Sequence, residues 1–266
     1  MNLLEARVVL RPRSMSDVLD LAGPFCIANR RVLLPLAIAT TAVGALLAAA
    51  CRLGLGWSWL AVWLSTGGYL LLTGGLFTQV AGELLFREAR QIRLRTVVGR
   101  FLRRFFPYLA ARILQWVVLA FCAATFVPLP IFAARLLFVS ETVLLESASP
   151  GVALARSSRL VLFRSIPCLG LSLACAVAPF LFAISADVVG DAIVNLVFEM
   201  GRPFGSLWSD GGSGFAVIGA LLSAPLVASA SFLGYIDLRT RKEGWDIQLR
   251  FLALADAEAG GRRIAS

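Results

Sequence analysis

The stretch RRVLLPLAIATTAVGALLAAACR, residues 30–52, decides the fold class. Two arginines open it, one closes it, and Val32 to Ala50 carries no charge. A bilayer core about 30 Å thick is crossed by about 20 apolar residues rising about 1.5 Å each, so this run is long enough to span. Its neighbours repeat the theme. Trp57–Gly82 is uncharged, Pro107–Val127 contains Arg112, Ile131–Leu145 is short and contains Arg135 and Glu141, and Ile166–Ala186 and Gly214–Ile236 are again apolar. Composition agrees: 59% hydrophobic residues and a mean hydropathy of +0.82 exceed, and 15% charged residues falls below, what a water-soluble domain carries.

Arginine alternates across these runs. Arg7, Arg11, Arg13, Arg30 and Arg31 precede the first, and the gap after the second holds Arg87, Arg90, Arg93, Arg95, Arg100, Arg103 and Arg104. Arg156, Arg159 and Arg164 follow the fourth, and Arg239, Arg241, Lys242, Arg250, Arg262 and Arg263 follow the sixth. The intervening gaps hold only Arg52 and Arg202, leaving Arg112 and Arg135 inside runs. Positive residues are retained on the cytoplasmic side during insertion, so both termini are expected there. The expected fold is all-α: a single polytopic membrane domain, residues 1–266, with six spans at about 32–50, 57–82, 107–127, 131–145, 166–186 and 214–236. A cytoplasmic tail at 237–266 completes it. The net charge of +9 does not point to nucleic acid, because the arginines cluster at the ends of apolar runs.

Three polar gaps contain a helix start, an apolar stripe with arginines, and then a proline. Met15, Val18, Leu19, Ala22 and Phe25 follow Ser14 and Asp17. Val97, Val98, Phe101, Leu102 and Phe105 follow Thr96 and precede Pro107, and Leu154, Leu160, Val161 and Phe163 follow Ser149 and Pro150. Serine or threonine caps a helix and proline fits its first turn. Three interfacial helices, each leading into a hairpin, are therefore expected, with arginines toward anionic lipid headgroups; any basic segment beside a bilayer would look the same. Between Asp187 and Ser213 lies the one sizeable outer loop, with a short surface helix expected over 188–200 and a hinge at Gly211–Gly214. Small residues recur every four positions, as at Ala37, Thr41, Ala45 and Ala49, at Gly74, Thr78 and Gly82, at Gly170, Ala174 and Ala178, and at Ala220, Ala224 and Ala228. Such faces let helices approach closely within a bundle or a homo-oligomer.

The chain has no histidine, which removes the commonest general base and metal ligand. Its sole lysine is Lys242, and Cys26, Cys51, Cys122, Cys168 and Cys175 lack metal or redox spacing, so they read as small apolar residues. No enzyme activity, cofactor or metal is expected. The candidate site is instead an intramembrane polar cluster of Arg112, Gln115, Arg135, Glu141, Thr142 and Glu146. Charges there cost several kcal/mol unless paired or hydrated. Arg135, Thr142 and Glu146 share one helical stripe, while Glu141 is placed to meet Arg112 and Gln115. A structural ion pair is the favoured reading, a polar path the other.

Three passages carry a family likeness: Leu10–Ser14 with Asp17–Asp20, Glu146–Arg164 with Ala153–Ser157, and Tyr235–Asp246. They resemble bacterial multi-spanning proteins similar to the membrane domain of some glycerophosphoryl diester phosphodiesterases. The resemblance implies architecture. It does not bring the phosphodiesterase activity, which belongs to a separate soluble barrel with histidines that this chain lacks. The expected role is a non-enzymatic accessory or scaffold component of a bacterial inner-membrane assembly, with a transporter or permease-like subunit as the alternative.

Overall fold

In the computed structural model, which describes residues 15–86, 92–124, 129–162, 164–199 and 203–243, every apolar run is helical. The order is α1 (Met15–Ala28), α2 (Arg30–Ala49), α3 (Trp59–Phe86), α4 (Leu94–Ala124), α5 (Leu129–Arg135), α6 (Val139–Leu145), α7 (Pro150–Val161), α8 (Ser165–Ile193), α9 (Gly214–Leu222) and α10 (Ala224–Glu243). Five segments are long and apolar enough to cross a membrane: Arg30–Gly54, Trp59–Leu85, Leu94–Ala124, Ser165–Leu196 and Gly214–Arg241. The chain is an all-α multi-pass membrane protein. Ser14, the residues just before Leu129 and the tail beyond Glu243 lie outside the described residues.

Three expectations are corrected. The fourth span is not one helix, because α5 and α6 are seven residues each and are separated by a turn at Leu136–Phe138. The interfacial helix expected over 96–105 and the span after it are one continuous 31-residue helix, with Pro107 inside it. Proline removes a single backbone donor, a loss that helices in a bundle tolerate where neighbours re-satisfy the freed carbonyl. Finally, α8 runs through Asp187 to Ile193 and on into a π-type turn at Val194–Phe198, so among the described residues of the expected outer loop there is no separate surface helix.

The last span is the centre of the bundle. Two thirds (67%) of its apolar window is buried, against 17–33% in the other four, whose remaining faces point outward. Pro225 in the first turn of α10 cannot donate to Leu221, and the helix breaks there. Ser223 bridges the break, its hydroxyl donating to Ala220 O at 2.6 Å while its carbonyl accepts from Val227 N at 3.0 Å. Against α10 pack α1, α3 and α8. Helix α1 buries the expected stripe members Val18, Ala22 and Phe25 there, and Cys26 Sγ donates to Ser229 Oγ at 3.3 Å. Burial raises the Cys26 thiol pKa despite the pull of Ser229, as suits a small apolar residue rather than a nucleophile.

Close approaches use glycines other than most of those in the expected stripes. A Cβ on Gly74 or Gly170 would meet open space, whereas one on Gly75 would fall 2.6 Å from Tyr108 Cζ, and one on Gly44 would fall 2.7 Å from Tyr69 Cε1. The tightest is Gly219 of α9, where a Cβ would sit 2.3 Å from the Phe182 carbonyl oxygen and 2.5 Å from Ala186 Cβ. That oxygen belongs to the α8 backbone and cannot step aside as a side chain does. Gly211 and Gly212 are not a loose hinge: Gly211 has φ +77° and its carbonyl accepts from Trp63 Nε1 at 3.0 Å, while Gly212 lies under the Trp59 ring. Gly219→Ala is expected to lower stability by about 1–3 kcal/mol by forcing α8 and α9 apart, whereas Gly74→Ala is neutral. Thermal unfolding of the two variants in one detergent compares them directly.

Candidate functional site

Breaking a helix inside an apolar bundle exposes backbone donors and acceptors that have no water to turn to. The turn between α5 and α6 solves this with side chains from two other helices. From α4, Gln115 Nε2 donates to Leu136 O at 3.0 Å. From α7, the Ser157 hydroxyl donates to Arg135 O at 2.7 Å and accepts from Phe138 N at 3.2 Å. Ser157 is fully buried, so its Oγ serves as a two-way bridge across the break.

Arg112 belongs to the same device. Its Nη1 donates to Gln115 Oε1 at 2.8 Å, which turns the amide nitrogen of Gln115 toward Leu136. Its Nε donates to Tyr108 Oη at 3.3 Å, and Tyr108 in turn donates to Leu71 O of α3. A continuous chain thus runs from α3 through α4 to the broken segment. Among the described residues Glu141 makes no hydrogen bond or ion pair with Arg112 or Gln115, contrary to the expected contact. Its Oε1 accepts from Ser231 of α10 at 2.6 Å, while Oε2 is buried without a hydrogen bond.

The expected stripe of Arg135, Thr142 and Glu146 is interrupted by the turn. Arg135 lies over the Phe132 ring at 5.9 Å. Thr142 donates to carbonyls of its own helix turn, Val139 O at 2.9 Å and Phe138 O at 3.2 Å. Glu146 gathers more partners from elsewhere than the other two: Tyr235 donates to it, Arg156 pairs with it, and Arg239 Nη1 lies 3.4 Å away. Next to it, Ser147 takes φ +62° and ends α6, and its carbonyl accepts from Arg104 Nη1 at 3.0 Å.

Beside this end of α6 lies a cavity of about 340 Å³ among α3, α4, α6 and α10. Gln79, Glu83, Arg100, Tyr235 and Arg239 line it, and Arg100 is paired with Glu83. None of the expected cluster lines it. The residues missed were legible in part: Glu83 is a carboxylate closing an otherwise uncharged apolar run, four residues after Gln79 on the same helix face. Their convergence with Arg100 and Arg239 carries no local signal. No family model, curated protein or solved structure matches the chain.

Removing the hydroxyl in Ser157→Ala strands two buried backbone groups and is expected to cost about 2–4 kcal/mol, and Gln115→Leu a similar amount. Thr142→Val, whose hydroxyl bonds only within its own stretch or weakly to Ala153 O at 3.5 Å, costs under about 1 kcal/mol. Equal losses for Ser157→Ala and Thr142→Val would refute the bridging role. In double-mutant cycles read by thermal unfolding, Arg112→Gln couples to Gln115→Leu by about 1 kcal/mol or more and less strongly to Glu141→Gln.

Proposed function

We propose that this chain is a non-enzymatic component of the bacterial cytoplasmic membrane that assembles with, or anchors, another protein. The observation that carries the reading is that the intramembrane polar groups serve to close the bundle. Arg112 and Gln115 hold the α5–α6 turn, Ser231 holds Glu141, and Glu146 gathers Tyr235, Arg156 and Arg239. A permeation pathway would expose such groups to one another along a wet channel; the cavity at the end of α6 is lined by neither Arg135 nor Glu141. The likeness of the three quoted passages to membrane domains that accompany an enzyme also supports an accessory role.

The arginine-rich end of the bundle, where Arg100, Arg156 and Arg239 meet Glu83 and Glu146 and Arg104 meets the Ser147 carbonyl, faces the cytoplasm in this proposal. A green fluorescent protein fused after Ser266 is then expected to fluoresce, and alkaline phosphatase at the same place to be inactive. The reverse pair of results would invert the topology.

Affinity purification of the full chain from its native membrane, through two different tags in sequence, is expected to retain a stoichiometric protein partner. The contrary result is a lone monodisperse protein that moves solute into liposomes and loses that flux in Glu141→Gln. That outcome would establish the transport reading instead.

A further inference from the structure

The cavity beside α6 has a chemistry that bundle closure does not require. Its polar wall is built from two helices at regular spacing, Gln79 and Glu83 on α3 and Tyr235 and Arg239 on α10, with Arg100 of α4 across from Glu83. Among the described residues that line it, two guanidinium groups, Arg100 and Arg239, stand beside one carboxylate, Glu83. An excess of positive charge beside low-dielectric walls concentrates anions. Guanidinium, with its planar fork of donors, matches phosphate oxygens better than an ammonium would.

Gln79 is the second, independent sign. It is only 8% exposed, it lines the cavity, and no described residue hydrogen-bonds its side-chain amide. Its amide is therefore open to a hydrogen-bonding group that enters the cavity. Next to these polar groups the lining turns apolar, with Leu145, Phe232 and Ile236. A volume of about 340 Å³ falls at the small end of ligand sites. It suits a headgroup and the start of its chains rather than a whole lipid.

We propose that this cavity binds the phosphate headgroup of an anionic membrane lipid. Arg100 and Arg239 face the phosphate, the Gln79 amide donates from the buried wall, and Leu145, Phe232 and Ile236 accommodate the adjoining hydrocarbon. The inference requires only that the bundle sits in a bilayer and holds whether or not a protein partner exists.

The test uses the full-length protein in a neutral detergent, titrated with short-chain phosphatidylglycerol and followed by phosphorus NMR and native mass spectrometry. One saturable lipid is expected per chain, weakened by added salt. Arg100→Gln, which removes a charged contact at a position 43% exposed, lowers affinity about tenfold, and Gln79→Leu lowers it about threefold or more. Arg95→Gln, an exposed arginine on the same helix outside the cavity, leaves it unchanged. Should Arg100→Gln fail to fold, Gln79→Leu, which touches no ion pair, decides the matter alone. Equal weakening by Arg95→Gln and Arg100→Gln would reduce the effect to general surface attraction and overturn the site. Wild-type affinity in both Arg100→Gln and Gln79→Leu would overturn it too. Separate titrations with inorganic phosphate and glycerol 3-phosphate identify the source of the anion: affinity equal to that of the lipid would overturn a lipid site. Equal binding of short-chain phosphatidylcholine would overturn the preference for an anionic lipid.

Discussion

A backbone amide buried in an apolar bundle has no water to fall back on, and that constraint acts on the turn at Leu136–Phe138. A continuous helix would have satisfied these groups by itself. Here the chain breaks instead, and Gln115 and Ser157 supply what the missing helical bonds would have supplied. Arg112 and Tyr108 extend the arrangement to α3. The position of α6 therefore depends on side chains from α4 and α7, and the position of Glu146 at its end depends on α6.

From that placement follows the polar end of the bundle. Glu146 reaches Tyr235 and Arg239 of the central helix, and Arg156 of α7 closes on it from the other side. Glu83 and Arg100 tie α3 to α4 nearby. Without the break, Arg135, Thr142 and Glu146 would share one helix face. The same geometry leaves a cavity with polar and apolar walls among α3, α4, α6 and α10.

Much of the fold was legible because helices in lipid obey a length rule and a charge rule. The apolar runs became helices, and the α1 stripe of Val18, Ala22 and Phe25 became a buried face. The partner of that face was not legible: α1 packs on α10 of its own bundle. The candidate cluster was legible as a set of residues but not as a set of contacts. Arg112 was expected to meet Glu141 and instead takes Gln115, its neighbour one helical turn away, because a local i, i+3 pair forms without any tertiary adjustment. Gln79, Glu83, Arg100, Tyr235 and Arg239 escaped notice as a site because they come from three separate helices, and no spacing within one helix relates them to the others.

Composition and run length set the solvent and the class: long uncharged runs demand a bilayer, and in a bilayer those runs are helical. The sequence also concentrated arginine on alternate gaps, since each charge is costly at the centre of a span and cheap at its end. Tertiary structure alone decided where a run of sufficient composition would fail to be a single helix, which glycine would admit a neighbouring backbone, and which carboxylate each arginine would meet. Those outcomes depend on distances between helices. Such distances arise only when Gly219 lets α8 and α9 close, when Ser157 bridges the break, and when α10 takes the centre of the bundle.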